Sequence, residues 1–502
     1  MRGKAFPKHP AFEISDRATF YFPLGLRRGI AWPASLRASD PCGAVFLANN
    51  GRTASHLGGQ TGIQTPLLAD VPIRFGLMSD RPTVEKGTPP MNQWLLWSIL
   101  VPAFLSLVYH YRAKFGLYAP YAIVIGCLVP ALICLLYLVR VLYEQRVIPA
   151  EWDFLAFWTY GQAGASGQDF YKPANFAQIA FPISPSRDFT REVLNVGFPY
   201  PPPTMLLLLP LGWLALSHGY FLWYGIHFLA LAVSIGLLWR IFLRGSGIQG
   251  LAFTAALVVL FPPLFATFHN AQTNLLALCA LLAYWMHRNS FKGGAAMALG
   301  LAVKPYFAVL LLFPLMKRHL RAGIGFLTVS SFLSLLALLA FGGKVFLSYV
   351  TEKPTSKLPL SVFSENVNQS LSAFFLRMGA VPIGISPVFT LPNLLASAVL
   401  AGLTTWAVYR CSREDSDWAL CLTLLMALII YPGALFHYGV MALPAILLLW
   451  SRRAEVRGRQ WTVALVIACV YGLAQVQFTL AGNLLLWMVA FWQSMGLPTR
   501  NK

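Results

Sequence analysis

Few residues in this chain combine a reactive side chain with a suggestive setting. A carboxylate, Asp153, stands in EWDFLAFWTYGQA (151–163), shortly after a long apolar run. An amide-rich stretch, HNAQTN (269–274), carries Gln272 and Asn274, and a second, ENVNQS (365–370), carries Asn368. Lys304 interrupts an apolar stretch in VKPY, and His437 sits in FHY between two late apolar runs. A carboxylate can take a proton from a sugar hydroxyl. A lysine with amide donors can stabilise a phosphate leaving group. The set therefore suits transfer chemistry on a lipid-linked anionic group. Each residue also has an ordinary reading. An Asp at a helix mouth is simply solvated, a membrane Lys reaches for headgroups, a His hydrogen-bonds at the interface, and amides cap helix ends. Ionisable groups at membrane depth favour function, provided the surrounding elements bring them to one place.

Those elements read as membrane helices. Of 502 residues, 57% are hydrophobic and 11% charged, whereas roughly a quarter of a soluble protein is charged. The apolar residues form runs of about 20, enough to cross a hydrocarbon core as a helix. Continuous runs such as 251–268 exclude a β-barrel, whose strands alternate in polarity. The expected class is an all-α polytopic bundle of roughly 10–13 membrane segments. The net charge of +20 lies in Lys/Arg clusters between apolar runs, as in cytoplasmic loops, so no nucleic-acid partner is expected. Seven cysteines show neither metal-ligand spacing nor a disulfide framework. Residues 1–90 are polar and turn-rich, with no run long enough to span and no signal-peptide pattern. We expect no stable fold there: either a disordered extension or, slightly favoured, a true start at Met91. Residues 91–502 then form the transmembrane domain, with outer loops 146–199 and 342–390.

The helix candidates are 92–110, 119–145, 200–217, 219–240, 250–268, 271–287, 295–316, 322–341, 391–410, 417–434, 436–451, 461–479 and 481–496. Anchoring Arg452, Arg453, Arg457 and Arg459 inside puts Arg240, Arg244, Arg288, Lys317 and Arg410 on the same side. The four polar stretches fall outside, on the non-cytoplasmic face of a bacterial-type inner membrane. Two runs do not fit as single crossings. Run 200–217 begins and ends outside, so it should dip in or lie along the surface. Run 295–316 must leave and return within about 22 residues, too few for two crossings at about 1.5 Å per residue. Pro305 breaks a helix at its middle. We expect a hairpin of two short helices with Lys304 and Pro305 at the tip, aimed at the outer cluster. Arg140 and Arg146 fall outside against the rule.

These motifs, in this order, resemble those of glycosyltransferase family 87, membrane enzymes related to polyprenyl-phosphate-mannose-dependent α-mannosyltransferases. The family's DF-x-x-F-x-x-x-G and G-x-D-x-Y appear as DFLAFWTYG (153–161) and GQDFY (167–171). Y-P-P appears at Tyr200, and GQ-x-N as AQTN (271–274), with Ala271 where glycine is usual. An LKP-like element appears as VKPY (303–306), an N-x-S-like element as NQSLSAFFLR (368–377), and a late His as His437. The resemblance covers about residues 120–450. It implies the C-type glycosyltransferase architecture and inverting transfer of a hexose, most often mannose, from polyprenyl phosphate to a lipid or glycan acceptor. It implies Asp153 as general base, and neither a nucleotide sugar nor an obligatory metal or other cofactor. Lys304 would contact the donor phosphate and His437 phosphate or acceptor, with Gln272, Asn274, Asn368 and Tyr200 as further substrate-binding residues. The aromatics Trp152, Phe154, Phe157, Trp158 and Tyr160 would pack on the prenyl chain or a sugar, or else form an interfacial belt. The main rival is a transporter or flippase, which a dozen helices and a broken Lys-Pro segment also suit. Against it, no internal repeat is visible, and the polar groups lie at one face.

Overall fold

The structure, a computed structural model, describes residues 119–145, 153–180, 198–352, 363–384, 386, 388–411, 416–455 and 460–496. The expectations for residues 1–90, Met91, segment 92–110, Arg146, Trp152, Arg457 and Arg459 lie outside these residues.

In lipid every backbone polar group must pair internally, and the described regular elements are accordingly helical. They run α1 (Ala119–Gln145), α2 (Asp153–Ala165), α3 (Pro173–Ala180), α4 (Pro202–Gly212) and α5 (Leu216–Leu238). Next come α6 (Gly247–Val259), α7 (Pro262–His269), α8 (Asn274–His287), α9 (Phe291–Val303), α10 (Phe307–Leu310), α11 (Leu312–Met316) and α12 (Leu320–Glu352). The last are α13 (Leu371–Arg377), α14 (Leu391–Arg410), α15 (Ser416–Ile430), α16 (Leu443–Ser451), α17 (Gln460–Gln475) and α18 (Thr479–Gly496). Four helices are long and apolar enough to cross a membrane: Tyr121–Glu144, Leu216–Val259, Leu320–Glu352 and Leu391–Arg410. Their outward faces are apolar, as at Leu132, Leu339, Leu395 and Tyr409, all more than half exposed. Such continuous apolar surface needs lipid or protein cover. The chain is thus an all-α polytopic membrane protein. Its centre is α15, buried from Trp418 to Ile429.

Prolines mark several boundaries. Run 250–268 is two helices, because Pro262 holds Phe261 extended (φ −79°, ψ 117°). Run 200–217 ends at Gly212, and its last residues already belong to α5. At 11 residues, α4 is about 16 Å long, half the roughly 30 Å of a hydrocarbon core. That length fits a dip better than a crossing. Helix α12 outruns the expected 322–341, kinking at Gly342 (φ 76°, ψ 164°) and continuing to Glu352. The expected outer loops are partly helical: α2 and α3 lie within 146–199, and the end of α12 and α13 within 342–390.

The chain turns back at Lys304 and Pro305 as expected, but the hairpin starts earlier, at Phe291, and its return leg is two short pieces, α10 and α11, instead of one helix. Gly294 packs so closely on α12 that a Cβ would overlap the Ala322 carbonyl, and Gly325 packs likewise on the Phe291 carbonyl. The start of α9 and the start of α12 therefore touch, and everything between them goes out and comes back. The grouping of charges also follows the charge reading. Arg288 and Arg452 both bind Asp417, while Lys317 donates to the carbonyls of Val408 and Cys411 at 2.6 and 2.7 Å. Arg140, the exception to the rule, pairs with Glu144 at 2.8 Å.

Candidate functional site

Pro305 sets the position of the site's cation by displacing the residue before it from helical backbone. Lys304 has φ −144° and ψ 121°. The break frees the Ala302 carbonyl, which accepts the Thr204 hydroxyl from α4. The Lys304 side chain is fully buried (0% exposed). Its Nζ donates to Gln272 Oε1 at 3.0 Å and to the Tyr438 hydroxyl at 3.1 Å. It lies 4.4 Å from the Tyr438 ring centroid and 5.7 Å from that of Tyr200. The rings of Tyr306 and Tyr431 extend this into a tyrosine cluster, 5.6 and 6.0 Å from Tyr438. Ring faces attract a cation, but a buried ammonium remains costly unless paired and hydrogen-bonded.

Gln272 joins this cation to the carboxylate. Its Oε1 accepts from Lys304, and its Nε2 donates to Asp153 Oδ2. The backbone around it is pinned: Trp223 Nε1 donates to the Ala271 carbonyl at 2.8 Å, and His227 Nε2 lies 2.8 Å from the Gln272 carbonyl. Ala271 has φ +50°, a left-handed conformation costing an L residue about 1 kcal/mol. That is why glycine suits this position, and the two buried side chains hold the alanine there.

Asp153 is the first residue of α2, where the helix dipole favours a negative charge. Helix α2 is set against α4 at Gly161 and Gly212, where a Cβ on either would overlap the other helix's backbone. Trp158 Nε1 adds a bond to the Leu214 carbonyl at 3.0 Å. The aromatics after Asp153 turn out to be core. Phe154, Phe157, Trp158 and Tyr160 are all buried, with Phe154 edge-on to Tyr220 at 5.3 Å and Phe157 tilted on Trp223 at 5.6 Å. This corrects both expectations for them, because rings so enclosed neither form an interfacial belt nor offer a surface to a prenyl chain. In the second motif, Tyr171 donates to the Tyr200 carbonyl at 2.7 Å, and Asp169 accepts the Ser348 hydroxyl at 2.5 Å. The motif thereby ties Tyr200 to the far end of α12.

Of the expected site residues, Asp153, Gln272, Lys304 and Tyr200 come together directly. The other three form an adjoining scaffold. Asn274 Nδ2 donates to the His437 carbonyl at 3.1 Å. Asn368 Nδ2 donates to the Pro432 carbonyl at 2.9 Å, and its Oδ1 accepts the Ser370 amide at 3.1 Å. Gln369 and Phe436 complete the tie with backbone bonds to Ala434 and Val367. Asn368 thus supports the loop leading to His437 and does not reach into the Lys304–Asp153 chain. His437 Nε2 and Asn274 Oδ1 are buried and without a hydrogen-bond partner. Tyr438, Tyr306 and Tyr431 were not assigned roles from sequence, although Tyr306 and Tyr438 directly adjoin the quoted Lys-Pro and His positions. Trp223 and His227 lie four apart in an apolar helix, which reads as packing.

Residues 198–436 match the sequence model of glycosyltransferase family 87. The alpha-(1->3)-arabinofuranosyltransferase of Corynebacterium glutamicum is 27% identical over 267 residues, 51% of this chain and 60% of that protein. The chain thus covers less than two thirds of that relative's length. No solved structure matches. Asp153 lies well before the matched segment and His437 directly after it; Tyr200, Gln272, Asn274, Lys304 and Asn368 lie within it, so that most of the candidate site falls in the part of the chain that is similar to glycosyltransferase family 87.

Proposed function

We propose that this chain is an integral-membrane glycosyltransferase of C-type architecture that moves a sugar from a polyprenyl-phosphate donor to a lipid or glycan acceptor, with inversion, at the non-cytoplasmic face of a bacterial inner membrane. The observation that carries the reading is the Asp153–Gln272–Lys304 chain: one side-chain amide holds a carboxylate at its nitrogen and a buried ammonium at its oxygen. Asp153 takes the proton of the acceptor hydroxyl. The oxygen attacks the anomeric carbon from the side opposite the phosphate, and the carbon–phosphate oxygen bond breaks. The departing polyprenyl phosphate carries away the bonding pair as negative charge, which Lys304 and the Tyr438 hydroxyl meet. His437, whose Nε2 is unpartnered, is a second donor to phosphate or acceptor.

Mannose is the sugar that the motif resemblance favours. The relative's name favours arabinofuranose as a second reading. Purified protein given radiolabelled polyprenyl-phosphate mannose, or the corresponding arabinofuranosyl lipid, with membrane lipid acceptors should transfer label from one of them. Transfer from neither donor, together with donor-lipid movement across proteoliposomes, would favour the transporter reading.

A further inference from the structure

Helix α8 has 14 residues and runs about 21 Å, from Asn274 beside the candidate site to a separate cleft at its other end. This cleft encloses about 580 Å³ and is lined by Arg240, Arg244, Trp285, Arg288, Ser290 and Asp417, among others. Asp417 is fully engaged. Its Oδ1 accepts from Trp285 Nε1 at 2.9 Å and from Arg288 at 2.7 Å, and its Oδ2 from Arg452 at 3.2 Å. Arg288 also donates to Ser416 Oγ at 2.7 Å. One carboxylate therefore fixes two guanidinium groups, and the cleft keeps a net positive charge.

Arg240 and Arg244 enter the same cleft from the π-helical turn Trp239–Leu243 and the short turn after it. Both are exposed, and neither has a carboxylate partner among the described residues. Their backbone is fixed by the Trp239 indole, which donates to the Gly247 carbonyl at 3.1 Å. Guanidinium forks match paired phosphate oxygens. Apolar surface stands beside the charge: Ile248 is 64% exposed and Phe291, next to Ser290, is 46% exposed.

We propose that this cleft binds the phosphate of an anionic phospholipid headgroup, with Arg240 and Arg244 as principal contacts and the acyl chains lying past Ile248 and Phe291. Free phosphate shares the headgroup chemistry, but it has no use for the apolar flank. The assignment does not depend on the transfer reaction. Native mass spectrometry of the full chain in detergent, with dioleoyl phosphatidylglycerol or phosphatidylcholine added, tests it. Phosphatidylglycerol should be retained at least about tenfold better, since each basic residue adds appreciably to anionic-lipid affinity. Arg240→Ala/Arg244→Ala should lose that preference with an unchanged melting temperature. Arg321→Ala/Arg410→Ala, removing two exposed arginines outside the cleft, should keep it. Equal retention of the two lipids, or equal loss in both double variants, would overturn the proposal. Displacement by millimolar inorganic phosphate would assign the cleft to a soluble anion and overturn the lipid.

Discussion

The Lys304 end and the Arg288 end of the bundle are joined by the same two helices, α8 and α15, yet they handle charge in opposite ways. At the Lys304 end one fully buried ammonium faces the rings of Tyr200 and Tyr438, with Tyr306 and Tyr431 packed on Tyr438, and its link to a carboxylate passes through a single amide. At the Arg288 end several guanidinium groups stand in an open cleft around one saturated aspartate. Water can reach the second set, so its charges cost little and contribute little to stability. The first set has given up hydration and depends on every partner. Chemistry on a phosphate benefits from that arrangement, because donors placed in advance in a dry site need not reorganise as charge develops.

Substitutions should separate the two ends. The largest effect is expected from Asp153→Asn, which should lower sugar transfer by about 10²–10⁴-fold with an unchanged gel-filtration profile; retained turnover would remove the base assignment. Lys304→Met should lower kcat/KM for the donor by about 10²–10³-fold, measured with the same labelled lipid. The packing that presents Asp153 is tested by Gly212→Val, which forces a side chain into the α2 backbone and should cost about 3 kcal/mol in a thermal-shift assay. At the open end, Arg288→Ala should cost only about 1 kcal/mol or less and leave transfer unchanged. A loss there as large as that of Lys304→Met would break the contrast. Ala271→Gly should be the mildest change at the dry end, gaining up to about 1 kcal/mol from relief of the left-handed alanine while activity persists.

Much of this contrast was legible in the sequence. Clusters of arginine between apolar runs reported which ends of the helices meet, and Arg288, Asp417 and Arg452 do meet. The proline after Lys304 announced the broken helix because a pre-proline residue avoids helical backbone wherever it occurs. Local rules of this kind survive folding. What was not legible depended on partners distant in the chain. The tyrosine cluster beside Lys304 draws on positions 200, 306, 431 and 438, whose convergence no local pattern reports. The aromatics after Asp153 read equally as substrate-packing rings or as an interfacial belt, since an apolar ring reads the same whether ligand, lipid or protein covers it. Asn368 looked like a substrate ligand because an amide in a polar loop gives no sign that both its ends are already engaged.

The closed base of the hairpin has a consequence for evolution and for engineering. Because α9 starts against α12 and cannot slide there, the position of Lys304 is set by the number of residues between Gly294 and the break. One alanine inserted anywhere in that stretch would advance the tip by about 1.5 Å and swing it by about 100° around the helix axis, carrying the ammonium away from Gln272, Tyr200 and Tyr438 without altering a single contacting residue. The length of α9 works as a ruler, and tolerance to insertions should fall sharply within it while substitutions on its outward face, such as at Leu299, pass unnoticed.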